Sequence, residues 1–264
     1  MNNTLRRGRA MGSFPPVLLV WNRADTILPA GSKGLFRPTV CGYANGMISF
    51  PKKLLEGYRA FRTQRLPTEQ SRYRELSERG QSPEVMVIGC CDSRVSPEVI
   101  FDAGPGELFV VRNVANLVPV FEPDGGAHGV SAALEYAVNV LRIKHIVVLG
   151  HAQCGGIRAF IDKIEPLSVG DFIGRWMAMF IKPGEVVEQR SHETMQDFTV
   201  RIEKAAVFRS LENLMTFPFV RTQVESGQLQ LHGAYFGVAE GSLFVLDKQA
   251  KEFRSAANEE AAPP

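Results

Sequence analysis

The chain of 264 residues has little of what marks specialised proteins. Its cysteines number four, at positions 41, 90, 91 and 154, too few and too unevenly spaced for the disulfide framework of a secreted scaffold. No apolar run reaches the roughly 20 residues that span a bilayer. Val17 to Trp21 is also too short for the core of a secretory signal. Net charge is small, with 30 basic and 28 acidic side chains. The excess sits in residues 1–46, which carry +5, so residues 47–264 carry −3. That leaves no electrostatic footprint for a nucleic acid. Neither G-x-G-x-x-G nor a Walker lysine occurs, so the common phosphate cradles are excluded. What remains is an ordinary globular balance, 45% hydrophobic and 22% charged. A reduced, cytoplasmic protein is expected.

Order is expected to begin near Ile48. The prolines at 15, 16, 29 and 38 break any long helix in the basic start, so 1–46 reads as a disordered extension ahead of a possible true start at Met47. From Lys52 to Arg62, Leu54, Leu55, Tyr58 and Phe61 share one helical face, and a charged helix follows over 69–78 until Gly80 stops it. Three short apolar runs, Val85 to Gly89, Leu108 to Val111 and His145 to Leu149, suit strands buried on both faces of a parallel sheet. The helical stretch Gly129 to Leu141 joins the second to the third as a strand–helix–strand unit. Helices are expected over 156–163, 171–180 and 186–215, the last ended by Phe217-Pro218. Strands are expected over 229–236 and 243–246. The fold class is α/β: one domain over 47–250, with a central, mostly parallel β-sheet flanked by helices and a solvated tail over 251–264.

Open α/β sheets bind ligands beyond the carboxyl ends of their strands. The first apolar run ends in Cys90-Cys91-Asp92-Ser93-Arg94, and the third in Gly150-His151-Ala152-Gln153-Cys154-Gly155-Gly156. Two strand ends thus deliver thiol, carboxylate, imidazole and thiol to one rim of the sheet. Cys90, His151 and Cys154 make a soft donor set suited to tetrahedral Zn²⁺ with a fourth position over, the arrangement of catalytic rather than structural sites. Either motif alone is short enough for packing to explain it; their placement at two strand ends points to a metal site.

The C-x-D-S-R and H-x-x-C pair resembles the β-class carbonic anhydrases. So do the segments Gly106 to Pro119, Leu134 to Val138 and Ser210 to Val220. Gly80 to Pro83 and Asp124-Gly125-Gly126 resemble the plant-type branch. The likeness covers about residues 48–250. It implies that one Zn²⁺ per chain is held by Cys90, His151 and Cys154. Its bound hydroxide attacks CO2 to give bicarbonate and a proton. It further implies that Asp92 either closes the site as a fourth ligand or pairs with Arg94 and accepts a hydrogen bond from the hydroxide. Gln81 and the backbone N–H of Gly155 are implied as donors to substrate. Phe109, Val114 and Tyr136 are implied as the lining of an apolar CO2 pocket. A homodimer or dimer of dimers is implied, with the active site at the interface and no membrane or nucleic-acid partner.

In some members an inhibitory bicarbonate site uses a Trp, an Arg and a Tyr. Here Arg112 keeps the Arg, but Val87 and Phe236 stand at the other two positions, so that site is expected to be missing. Strand alternation predicts Cys91 as a buried packing residue, and Cys41 as a bystander in the extension. His128 is read as capping or solvated; His145, His192 and His232 have no ligand-type neighbour in sequence and are read as structural. Arg112 and Asn113 are read as braces. Two rivals stay open: a relative acting on another small heterocumulene such as CS2, and a non-catalytic zinc–thiolate module. A chain trimmed to begin at Met47 should hydrate CO2 as fast as the full chain in stopped-flow assays; a slower rate would make residues 1–46 part of the enzyme.

Overall fold

Six strands form one sheet in the order β2-β1-β3-β4-β5-β6. The computed structural model describes residues 49–163, 166–182 and 185–258. Residues 1–46, expected to be a disordered extension, and Cys41 within them lie outside the described residues. The chain divides after Leu54 into two units, of which the first is described over 49–54 only. Helix α1 (Lys52–Ala60) continues through a π-type turn (Phe61–Arg65) into α2 (Leu66–Arg79). Gly80 ends α2 at φ +80°, donating its N–H to the Leu76 carbonyl. No residue of α1 or α2 is buried, and Tyr58 and Tyr73 present their rings to solvent.

The apolar runs become β1 (Val85–Cys90), β2 (Leu108–Asn113) and β3 (His145–His151). With β4 (Gln230–Gly237) they make the parallel part of the sheet, and β5 (Ser242–Asp247) and β6 (Glu252–Ser255) add antiparallel strands. The short helix α3 (Pro97–Ile100) follows β1. Helix α4 (Gly129–Glu135), extended by a π-type turn to Leu141, joins β2 to β3. Between β3 and β4 lie α5 (Gly155–Ile161), α6 (Phe172–Ala178), α7 (Met195–Leu214) and α8 (Pro218–Glu225). Alternation sends Met86, Ile88, Ile146 and Val148 into a core with Leu134, Ala137, Val207 and Leu214 from the helices and Phe217 from the turn between α7 and α8. On the opposite face Val87, Leu149 and Ala234 are buried, but Val85, Leu108, Val110 and Val147 are only half-buried.

Several expectations need correction. The long helix begins at Met195 rather than 186, because Thr194 caps it: its hydroxyl accepts the Asp197 N–H at 3.1 Å. Ahead of the cap, Glu193 folds back onto Arg201 through bonds of 2.7 and 2.8 Å. The segment read as a tail from 251 contributes edge strand β6, paired with β5 from Phe244↔Ser255 to Asp247↔Glu252. Cys91 is exposed, because β1 stops at Cys90 and strand alternation no longer governs the next side chain. His145 and His232, without partners in sequence, sit on neighbouring strands with ring nitrogens 3.2 Å apart.

Helix α7 lies close against the sheet where two glycines admit it. A Cβ on Gly150 would come within 2.6 Å of Val207 Cγ2, and one on Gly233 within 3.0 Å of Val207 Cγ1. Gly150→Ala should therefore destabilise the fold by about 1–3 kcal/mol in urea unfolding. Adding Val207→Ala should return part of that loss. Equal losses in the single and double variants would show that the approach at Gly150 is not the constraint.

Candidate metal centre

Because β1 and β3 are parallel neighbours in register Gly89↔Leu149, their carboxyl ends meet, and Cys90 and His151 end them side by side. The turn after β3 then brings back Cys154, which directly precedes α5. The donor atoms of Cys90, His151 and Cys154 lie within 4.8 Å of one another, and all three residues are buried. Among the described residues this is the only group of three or more such side chains so disposed.

The donors fit a divalent ion. The two sulfurs are 3.9 Å apart, and tetrahedral coordination at the usual zinc–sulfur length would separate them by about 3.8 Å. His151 turns Nδ1 to the Ala152 carbonyl at 2.9 Å, which leaves Nε2 as the ring's free position. That Nε2 is buried and has no hydrogen-bond partner, an uncommon and costly state for a polar atom unless a ligand completes it. The sulfurs are also prepared for charge. Backbone N–H groups of Asp92 and Ala115 are directed at Cys90, and those of Gly156 and Ile157 at Cys154.

Without an ion the two thiols share one ionisation. The Cys90 thiol is pulled down because Cys154 hydrogen-bonds its thiolate, against the cost of burial and with further help from His151. Cys154 is pushed up because it is that donor and because a second buried negative charge beside the first is unfavourable. Burial opposes protonation of His151, but the Cys90 sulfur outweighs it and raises the imidazole.

Around this set, Arg94 grips Asp92 with Nε to Oδ1 at 2.9 Å and Nη2 to Oδ2 at 2.7 Å. The Arg94 backbone N–H donates to Oδ1 as well, at 3.0 Å. The guanidinium holds the Asp92 carboxyl well below the usual carboxylate range. Arg94 Nη2 also reaches the Gln153 carbonyl at 3.0 Å, tying the loop after β1 to the turn after β3. Arg112 braces the same loop, donating to the carbonyls of Cys90 at 2.8 Å and Asp92 at 2.6 Å.

Of the residues singled out in sequence, Val114 packs with the cluster that contains Cys90 and Cys154, and Gly155 opens α5 immediately after Cys154. Phe109 and Tyr136 are not brought to that cluster. Their rings pack on each other at 6.0 Å, Phe109 against the other core, and Tyr136 is 45% exposed. Gln81 is exposed in the extended stretch between α2 and β1. His128 pairs with Asp124 at 2.7 Å, outside the donor set.

Two neighbours of the site were missed in sequence. Glu203 of α7 accepts the Cys154 N–H on Oε1 at 2.9 Å, and Tyr235 of β4 donates its hydroxyl to Glu203 Oε2 at 2.6 Å. The available signal was a carboxylate on the buried stripe of α7, between Ile202 and Ala206.

Comparison with known proteins is consistent along the chain. A family model described as carbonic anhydrase matches residues 85–243. A carbonic anhydrase of Synechococcus elongatus is 33% identical over 202 residues, 76% of this chain and 73% of its own. Beta carbonic anhydrase 5, chloroplastic, of Arabidopsis thaliana is 36% identical over 178 residues, 67% of this chain but only 58% of that protein's length. Among solved structures, the β-carbonic anhydrase CcaA superposes with a TM-score of 0.70 at 27% identity, covering 79% of this chain and 92% of its own.

The wild-type chain should carry one tightly bound divalent ion, and Cys90→Ser should carry none, by elemental analysis after dialysis. Retention of a full equivalent by Cys90→Ser would remove Cys90 from the donor set.

Proposed function

Because the chain belongs to the β class of the carbonic anhydrase family, we propose that it catalyses reversible hydration of CO2 to bicarbonate and a proton. In this proposal one zinc ion per chain is held by Cys90, His151 and Cys154. The observation that carries it is the buried donor trio whose His151 Nε2 lacks any partner. When bound, the zinc supplies the Lewis acidity that makes a water nucleophilic near neutral pH.

The chain's own residues supply the rest. Asp92, ionised and held by Arg94, presents oxygens that can only accept. Its Oδ2 is bonded to Arg94 alone among protein donors, so a lone pair is left for the proton of the attacking oxygen. That contact orients the nucleophile, and the bidentate Arg94 grip favours this role over that of a fourth metal ligand. Gln81 and the Gly155 N–H are the donors assigned to substrate oxygens. Val114, Phe109 and Tyr136 are assigned to the apolar wall that admits CO2. An uncharged substrate needs no steering field, in keeping with the charge of −3 over 47–264.

Phe109, Tyr136 and Gln81 would be completed as a pocket by a second copy of the chain. Two features favour a homodimer, or a dimer of dimers. No residue of helices α1 and α2 is fully buried, and one sheet face is only half-covered where parallel sheets are normally covered on both. The inhibitory bicarbonate site is proposed to be missing: Val87 is buried in β1, and Arg112 is committed to the Cys90 and Asp92 carbonyls. A cytoplasmic location suits thiol donors, which a reducing compartment preserves. Among the described residues no helix is long and apolar enough to cross a membrane.

Stopped-flow CO2 hydration across pH, on protein of measured zinc content, tests the reading. Activity should persist as bicarbonate is titrated near neutral pH. Asp92→Asn should keep its zinc and lose about 10²-fold or more in rate, the scale of a proton-handling group. One zinc per chain with no hydration at any pH would overturn the proposal. An unchanged rate in Asp92→Asn would remove Asp92 from it.

A further inference from the structure

Among the described residues, Glu203 is the one acidic side chain that is buried, with 2% of its surface exposed. A carboxylate is costly to bury unless its oxygens are satisfied. Both oxygens here are: Oε1 by the backbone N–H of Cys154 at 2.9 Å and Oε2 by the hydroxyl of Tyr235 at 2.6 Å. Tyr235 is fixed in turn. The Nζ of Lys204, the next residue of α7, sits 5.3 Å from its ring centre, and 5.8 and 5.6 Å from those of Phe244 and Phe253. Two successive helix residues therefore hold one tyrosine, Glu203 by its hydroxyl and Lys204 by its ring face.

The peptide unit between Gln153 and Cys154 is where these contacts converge. Gln153 has φ +55°, a left-handed conformation that a residue with a Cβ adopts only when its surroundings hold it there. The carbonyl end of that peptide accepts Arg94 Nη2 at 3.0 Å, and its N–H end donates to Glu203 Oε1. One peptide is thus clamped at both polar ends, and it carries the Cα from which the second sulfur of the donor set projects. Helix α7 reaches this point only because Gly150 and Gly233 let it lie close to β3 and β4. A carboxylate accepts more strongly than a neutral group, which suits a clamp that must hold a strained turn.

We propose that Glu203, anchored by Tyr235, is a positioning residue for Cys154. It fixes the Gln153–Cys154 peptide so that the second sulfur stays aimed at the other two donors. Neither residue touches substrate or the reacting atoms. The inference rests on reading Cys90, His151 and Cys154 as a metal site, and it makes α7 part of that site although α7 supplies none of its ligands.

Cobalt(II)-loaded protein tests it through the thiolate-to-cobalt absorption band and the rate of release to a chromophoric chelator, neither of which depends on turnover. Outer contacts of this kind are typically worth 10–100-fold in metal affinity. Glu203→Ala should release cobalt about 10–100-fold faster than wild type, with a displaced band. Glu203→Gln, which keeps an oxygen for the Cys154 N–H and an amide for Tyr235, should stay near wild type. Tyr235→Phe, which leaves the carboxylate but removes its anchor, should fall between. If Glu203→Ala folds, a wild-type release rate and band overturn the proposal, whatever its loss of unfolding temperature. If it does not fold, wild-type behaviour of Tyr235→Phe overturns it. Glu203→Gln releasing as fast as Glu203→Ala would also overturn it, because the acceptor would then not be what matters. Failure of the wild type to take up any cobalt would defeat the metal reading itself. Bound cobalt indifferent to all three substitutions defeats the positioning role alone.

Discussion

Two buried sulfurs 3.9 Å apart, with a buried imidazole nitrogen that has no partner, form a state that a folded chain has reason to avoid. One thiol can ionise by accepting a hydrogen bond from the other, but ionising both would place two negative charges together away from water. A divalent cation removes that conflict, since it accepts both sulfurs as thiolates and the imidazole as a neutral donor. Much of the surrounding structure makes sense as support for this one arrangement. Four backbone N–H groups turn toward the sulfurs, the Ala152 carbonyl fixes the imidazole tautomer, and Arg94 and Arg112 hold the loop that follows Cys90.

The support is layered by element. Strands β1 and β3 set the positions of Cys90 and His151 by register alone, with little freedom because both strands are buried. The turn after β3 has more freedom, and it is there that side chains from elsewhere intervene: Arg94 from the loop after β1 and Glu203 from α7. The sheet thus supplies coarse placement and the hydrogen bonds supply the last adjustment. The same division separates the metal donors from the proposed substrate contacts. Val114 and Gly155 lie beside the donors within one chain, whereas Gln81, Phe109 and Tyr136 do not. Helices α1 and α2 have no buried residue, and one face of the sheet is only half-covered.

Much of this was legible from the residues. Short apolar runs between polar clusters located the starts of β1, β2 and β3, but stopped one or two residues short of their ends, where Cys90, Arg112-Asn113 and Gly150-His151 continue the pairing. The donor set was legible because Cys90 and His151 end two of those strands and Cys154 follows His151 within one turn. Other features were not. The start of α7 depended on a single capping hydroxyl at Thr194, and nine residues of helix-compatible sequence before it are irregular. Edge strand β6 is four residues long with only alternate positions half-buried, which leaves almost no pattern to read. Cys91 was misjudged, and the contact between His145 and His232 was not visible, because exposure and cross-strand distance are properties of the sheet, not of neighbouring residues in the chain.

The sequence by itself determined the identities and spacing of the candidate donor residues and the parallel strands that carry them. These are local facts, since donor chemistry and apolar patterning are written residue by residue. Tertiary structure alone decided that Asp92 is taken up by Arg94, that the Gln153–Cys154 peptide is held from both ends, and that Glu203, bonded to Tyr235, reaches the turn that carries Cys154. Cys154 and Glu203 are 49 positions apart along the chain, and Glu203 and Tyr235 are 32 apart. Nothing in either interval announces the contact. It exists because Gly150 and Gly233 let a helix approach the sheet closely enough for one buried carboxylate to reach across.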